Sequence, residues 1–142
     1  MKSRNRQLYP GEKEPPVKDK YSLILYVDNV EVSASFYSSI LKHEPLERFK
    51  DFAVFGLQDG FIIGLQSKHA IEPTPQKFVG GFELSYSDVT TDEVDDIYKE
   101  WCNLGIEFAL KPTTLEFGYT FVAVDPDGHR LRICATDTSN IE

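Results

Sequence analysis

The 142-residue chain has no apolar run approaching the roughly 20 residues that a membrane-spanning helix needs. Its first residues, MKSRNRQLYPGEKEPP, lack the apolar core of a signal peptide. Cysteine is scarce: Cys102 and Cys134 form no CxxC pair, and no HExxH motif suggests zinc. With no export signal, these two residues read as reduced thiols of a cytoplasmic protein. Positive charge is also in short supply, with 15 Lys and Arg against 23 Asp and Glu. A net charge of -8 disfavours nucleic acid as the partner, because phosphate binding needs a basic face. There is no G-x-G-x-x-G, Walker or G-x-S-x-G sequence, so neither a nucleotide loop nor a nucleophile elbow is signalled. The three histidines, His43, His69 and His129, are scattered, and each reads as a surface or packing residue. What is present suits one ordinary globular domain, or two small halves: 41% hydrophobic and 27% charged residues.

Charge is unevenly distributed. Residues 1–20 hold six of the bases, three of the acids, and Pro10, Pro15 and Pro16. They read as a polar, mobile leader. The remaining 122 residues carry nine bases against 20 acids, a net of -11.

Past the leader the chain runs one programme twice. YSLILYV at 21–27 predicts a strand. Asp28 or Asn29 can cap a helix whose apolar positions are Val32, Phe36, Tyr37, Ile40 and Leu41. PLERF, FAVFGL and FIIGLQ follow as strands, the last two flanking an Asp59-Gly60 hairpin signal. A Pro-containing loop at 67–79 separates this module from the next. GFELSY at 81–86 then predicts a strand, and Thr90-Thr91-Asp92-Glu93 is a capping box. Val94, Ile97, Tyr98, Trp101, Cys102 and Leu104 form the next helical stripe, with Trp101 read as packing. The acidic run Asp92–Asp96 complements the helix macrodipole and reads as solvated surface. IEFALKP, TFVAV and RLRICA complete the programme, with an Asp125-Pro126-Asp127-Gly128 turn before the last strand. Asp59–Leu65 lines up with Asp127–Ile133, and Val27 with Tyr86.

The doubled βαβββ order, the helix start VDNVEVSASFYSSIL at 27–41 and the segment VDPDGHRLRI at 124–133 resemble the glyoxalase / bleomycin-resistance / extradiol-dioxygenase (vicinal oxygen chelate) superfamily. The resemblance covers residues 21–135 and implies an α+β fold. Two βαβββ modules, 21–67 and 80–135, would form curved mixed half-sheets around a cleft, with 136–142 as a tail. It also implies a homodimer and a small-molecule ligand. Metal-binding relatives take ligands at the start of the first and fifth strands and on the fourth and eighth. By position these slots fall here on Ser22, on Gly81 (Phe82 one residue on), on Gly64 (Gln66 two residues on) and on Arg132. Hydroxyl, hydrogen and guanidinium groups are poor ligands for a divalent transition metal, and a guanidinium stays positively charged. No metal or cofactor is therefore expected.

Strand alternation directs Leu23, Leu25, Val27, Phe61, Ile63, Leu65, Phe82, Leu84, Tyr86, Leu131 and Ile133 toward the helices. It leaves Ser22, Tyr26, Gln66, Glu83, Ser85, Arg130 and Arg132 as ligand-binding candidates, with Ile24, Ile62, Gly64 and Cys134 on the same face. Glu83 and Arg132 are the charged groups expected to orient a ligand or to pair with each other. Glu83 is a weak candidate general base. Phe52, Phe55, Tyr119 and Phe121 are candidate flat walls. Tyr119 and Phe121 share one strand face, Thr120 and Val122 the other, and the pattern leaves open which pair meets a ligand. The favoured function is metal-free binding of a small organic molecule such as an antibiotic or toxin. The alternatives are a metal-dependent lyase, isomerase or extradiol dioxygenase of the same superfamily, a metal-free enzyme using Glu83, and an interaction module.

Overall fold

A computed structural model describes residues 21–77, 81–139 and 141. Residues 1–20, 78–80, 140 and 142 lie outside the described residues, and with them the expected leader, the end of the loop expected at 67–79, the first residue of the module expected at 80–135 and part of the expected tail. The chain divides into two compact units between Pro75 and Gln76.

In the first unit, β1 (Ser22–Val27) leads to α1 (Val30–Leu41), β2 (Glu47–Arg48), β3 (Phe52–Gly56) and β4 (Ile62–Ser67). The strand order is β1-β4-β3-β2, with β1 parallel to β4 and the other pairs antiparallel. Asn29 caps α1: its extended backbone leaves Oδ1 free to accept from Val32 N–H at 3.1 Å. Asp59 and Gly60 turn the β3–β4 hairpin, both with positive φ, the backbone that Asp-Gly adopts most readily.

The second unit repeats the plan with β5 (Glu83–Ser87), α2 (Thr91–Asn103), β6 (Glu107–Leu115), β7 (Gly118–Val124) and β8 (Arg130–Thr136). Its order is β5-β8-β7-β6, with β5 parallel to β8. The capping box is complete: Thr90 Oγ1 accepts from Glu93 N–H at 3.1 Å, and Glu93 Oε1 from Thr90 N–H at 3.2 Å. Gly118 cannot be replaced without strain. Its φ is 139°, and an added Cβ would lie 2.1 Å from the Ala135 carbonyl oxygen. The fold is thus α+β, two four-stranded mixed sheets with one helix each.

Each core lies between a sheet and its helix. Tyr37 of α1 packs on Phe55, with Leu25, Val27, Ile63 and Leu65 buried around them. Phe121 of β7 is fully buried among Tyr98, Trp101 and Phe108, with ring centroids 5.4–5.6 Å from its own. Trp101 is therefore a packing residue.

Several expectations need correction. The buried stripe of α1 is Val30, Ser33, Ala34 and Tyr37; Phe36 and Ile40 flank it, and Val32 is exposed. Ser33 and Ala34 are small and let the helix approach the sheet, so this face is buried although the adjacent one is more apolar. On α2, Cys102 and Leu104 are exposed at the C-terminal end. Phe61 and Phe82 do not pack fully because each precedes its strand, and Tyr86 lies on edge strand β5; all three are exposed. Asp95 is not simply solvated, because Tyr119 Oη donates to it at 2.6 Å.

The internal register also shifts. Ser22 pairs with Ile62 and Glu83 with Arg130, and each precedes its N-cap, Asn29 or Thr90, by the same interval. The second-unit counterpart of Ser22 is therefore Glu83, not Gly81 or Phe82, and Tyr86 matches Leu25 rather than Val27. Face assignments survive because the shift is even.

Candidate functional site

The sheet face turned away from α2 carries the charged group. In the parallel β5–β8 ladder, Glu83 lies beside Arg130 and Ser85 beside Arg132. Alternation places Leu84, Leu131 and Ile133 on the helix side with Phe121, which pairs with Ile133. Glu83, Ser85, Arg130 and Arg132 consequently share the opposite face. Thr120 and Val122 of β7 join them, because Tyr119 and Phe121 are committed to α2.

Arg132 is held by three residues. Its Nε donates to Glu83 Oε1 at 2.5 Å, and its Nη2 to Glu83 Oε2 at 3.4 Å. Its Nη1 donates to Thr120 Oγ1 at 3.3 Å. The guanidinium carbon stands 5.2 Å from the Phe117 ring centroid, within cation–π range. Thr120 is fully buried and donates its only proton to the Ile133 carbonyl at 2.7 Å, so it meets Arg132 as an acceptor. The Arg132 side chain is 15% exposed and that of Glu83 32%. A two-point pair in this partly dry setting is geometrically fixed, as a mobile surface pair is not. Both Glu83 oxygens face Arg132, an arrangement that aims a guanidinium.

The other candidates are less constrained. Arg130 is exposed, and the Ser85 and Ser87 hydroxyls bond each other at 2.8 Å. Ser22, Tyr26 and Gln66 lie in the first unit, where Tyr26 and Gln66 are register neighbours. Ser22 and Tyr26 are exposed, and Gln66 Nε2 donates to the Ser67 carbonyl at 3.1 Å. Gly64 of this face is covered: an added Cβ would sit 2.7 Å from Ile24 Cδ1 and 3.1 Å from Phe52 Cζ. Phe52 and Phe55 take opposite faces and cannot form one wall. Thr120 and Phe117 escaped the sequence reading as contacts of Arg132. Alternation on β7 grouped Thr120 with Val122, but only the packing of Phe121 against α2 orients that strand. Phe117 precedes the strand and follows no period.

The histidines do not converge. His43 binds the neighbouring Glu44 carbonyl, and exposed His69 meets Asp28 at 2.7 Å. This bond and nearby Lys68 hold the Asp28 carboxyl below its ordinary range. His129 is buried beside Asp125, with Nδ1 2.8 Å from Oδ2. Asp125 Oδ1 also accepts from the N–H groups of Asp127 and His129. Asp125, Asp127 and His129 are the described residues whose ligand atoms lie within 4.8 Å of one another and could together face an ion. Their hydrogen bonds to one another lock the turn before β8. A separate cavity of about 450 Å³ lies in the first unit at the start of α1. Asp28, Arg48, Lys50, Asp51 and His69 line it, and it shares no residue with the Arg132 group.

The register sharpens the metal question. The positions where the resemblance expects metal ligands hold Ser22 and Gly64 in the first unit and, by the strand register, Glu83 and Arg132 in the second. Glu83 alone is a carboxylate, and its partner is the guanidinium on β8. A dication approaching Glu83 would meet the fixed positive charge of Arg132 beside it, and neither Ser22 nor Gly64 of the first unit offers a strong donor, so these residues do not fit a divalent transition metal.

Comparison with known proteins agrees with this architecture. The chain is 31% identical over 119 residues to the phenazine antibiotic resistance protein EhpR of Enterobacter agglomerans, an alignment spanning 80% of this chain and 89% of that one. A solution NMR structure of an Agrobacterium tumefaciens protein is 40% identical, with a TM-score of 0.74, covering 82% and 95% of the two chains. A glyoxalase-related enzyme from Fulvimarina pelagi, 19% identical, shares the fold with a TM-score of 0.69 over 80% and 84%. Among the described residues no helix is long and apolar enough to cross a membrane. Residues 21–133 match the family description, and the chain belongs to the Glyoxalase/Bleomycin resistance protein/Dioxygenase superfamily.

Proposed function

We propose that this protein binds a small, planar organic molecule of the antibiotic or toxin kind, without a metal ion, on the sheet face that carries Arg132 and Glu83. Superfamily members bind small molecules. The observation that carries the reading is the guanidinium at the β8 position, clamped by Glu83 and Thr120 where a metal-binding relative would need a ligand. Such a group orients a ligand and repels a dication. The relative associated with phenazine resistance makes phenazines the first compounds to try. Sequestration needs affinity alone, so Glu83 serves to aim Arg132 rather than to move a proton. The protein acts as a homodimer, an expectation carried by the family resemblance.

The test is a thermal-shift titration with phenazine derivatives, alongside metal analysis of the purified protein. Ligand at 100 times its dissociation constant adds about 2.7 kcal/mol, which for a chain of this size raises Tm by roughly 8 °C. The expected shift persists in EDTA. A shift that needs stoichiometric metal, or turnover abolished by chelator, would establish the metal-dependent lyase, isomerase or dioxygenase reading instead. Sedimentation velocity checks the dimer, expected at twice the 16.2 kDa chain mass.

A further inference from the structure

We propose that the ligand carries a carboxylate, and that this group docks on the two terminal nitrogens of Arg132. The inference rests on the small-molecule reading above and specifies its chemistry. It comes from counting donors. A guanidinium has five N–H groups in a fixed plane. Glu83 takes the side-on pair, from Nε and Nη2, and Thr120 takes one from Nη1. One N–H on each terminal nitrogen therefore has no acceptor among the described residues. Phe117 stands by the guanidinium and Thr120 is rigidly buried, so the plane is fixed before any ligand arrives. Each terminal nitrogen thus keeps a donor, and a carboxylate has two oxygens to accept from them.

The nearby Glu83 does not forbid this. A carboxylate on the terminal edge would stand about 4 Å from the guanidinium carbon and about 7 Å from the Glu83 carboxyl, so attraction outweighs repulsion by nearly two to one. The net -11 of residues 21–142 acts at longer range, where salt screens it beyond about 8–10 Å. Thr120 is a positioning residue: it touches Arg132, not the ligand.

The experiment compares binding of phenazine-1-carboxylate and phenazine-1-carboxamide by calorimetry, using the full chain at neutral pH. The acid is expected to bind about tenfold more tightly than the amide. That preference should vanish as pH falls through the ligand's own carboxyl pKa. Arg132→Gln should bring the ratio near one, and Arg132→Lys, which keeps the charge but loses the fork, should leave a few-fold preference. Thr120→Val should reduce the ratio and Thr120→Ser should restore it, a pattern that a simple loss of stability would not produce. Circular dichroism establishes that each variant is folded. Equal binding of acid and amide by the unmodified protein overturns this inference and leaves the small-molecule reading standing. Binding of neither compound overturns the inference and removes the phenazine support for that reading.

Discussion

Thr120 and Arg132 should be energetically coupled, and a double-mutant cycle in stability measures by how much. Thr120→Val keeps the side chain's shape, so it opens no cavity. It removes the hydroxyl that donates to the Ile133 carbonyl at 2.7 Å and accepts from Arg132 Nη1 at 3.3 Å. The first loss costs about 1 kcal/mol and the second about 1–2 kcal/mol. The lower end applies to the second because the bond is long and water can reach an Arg132 side chain that is 15% exposed. We expect Thr120→Val to cost about 2 kcal/mol. Arg132→Met removes the same Arg132–Thr120 bond together with the Glu83 fork, and should cost about 1 kcal/mol, because Glu83 is 32% exposed and can hydrate. The double variant should then be less destabilised than the sum by about 1 kcal/mol. Urea unfolding followed through Trp101 is the assay, since the chain's single tryptophan lies in the same unit. Additivity within about 0.3 kcal/mol would refute the claim that Thr120 holds Arg132.

Other outcomes follow from local geometry. Gly118→Ala should destabilise by at least about 3 kcal/mol, because it combines a disfavoured φ with a clash against the Ala135 carbonyl; a near-neutral urea midpoint would contradict the β7–β8 register. Asn29→Ala and Thr90→Ala should each lower the urea midpoint by about 1 kcal/mol of stability, because each removes the side-chain oxygen that accepts from the Val32 or Glu93 N–H, while the Thr90 N–H keeps its bond to Glu93 Oε1. The bond to Asp95, reinforced by burial, raises the Tyr119 phenol above its ordinary value. The folded state thus favours the protonated phenol. Its contribution is complete below the unfolded pKa near 10 and is lost as pH rises toward the folded value. Tyr119→Phe should therefore flatten the alkaline limb of a stability–pH profile and cost about 1 kcal/mol at neutral pH.

Much of the architecture was legible before any coordinates. Both caps, the Asp59-Gly60 hairpin, the Asp125–Gly128 turn and the strand parities are local consequences of residue type and spacing, so the doubled βαβββ order could be written down directly. The Glu83–Arg132 pair was also expected, because parity alone puts both on one face. Other features resisted. The α1 stripe was displaced because burial followed the small Ser33 and Ala34 rather than the most apolar positions. The match between the two strand starts slipped because pattern similarity tolerates an even shift that hydrogen-bond register does not.

The amino-acid order by itself determined which segments become strands and helices, and that Glu83 and Arg132 fall on one sheet face. Those are questions of backbone preference, alternation and side-chain chemistry, all settled within a few residues. Tertiary structure decided which way β7 turns, through Phe121 seated against Tyr98, Trp101 and Phe108. That orientation brings Thr120 to Arg132 and leaves Phe117 alongside. No period along the chain encodes it, because it depends on residues distant in sequence competing for one buried volume.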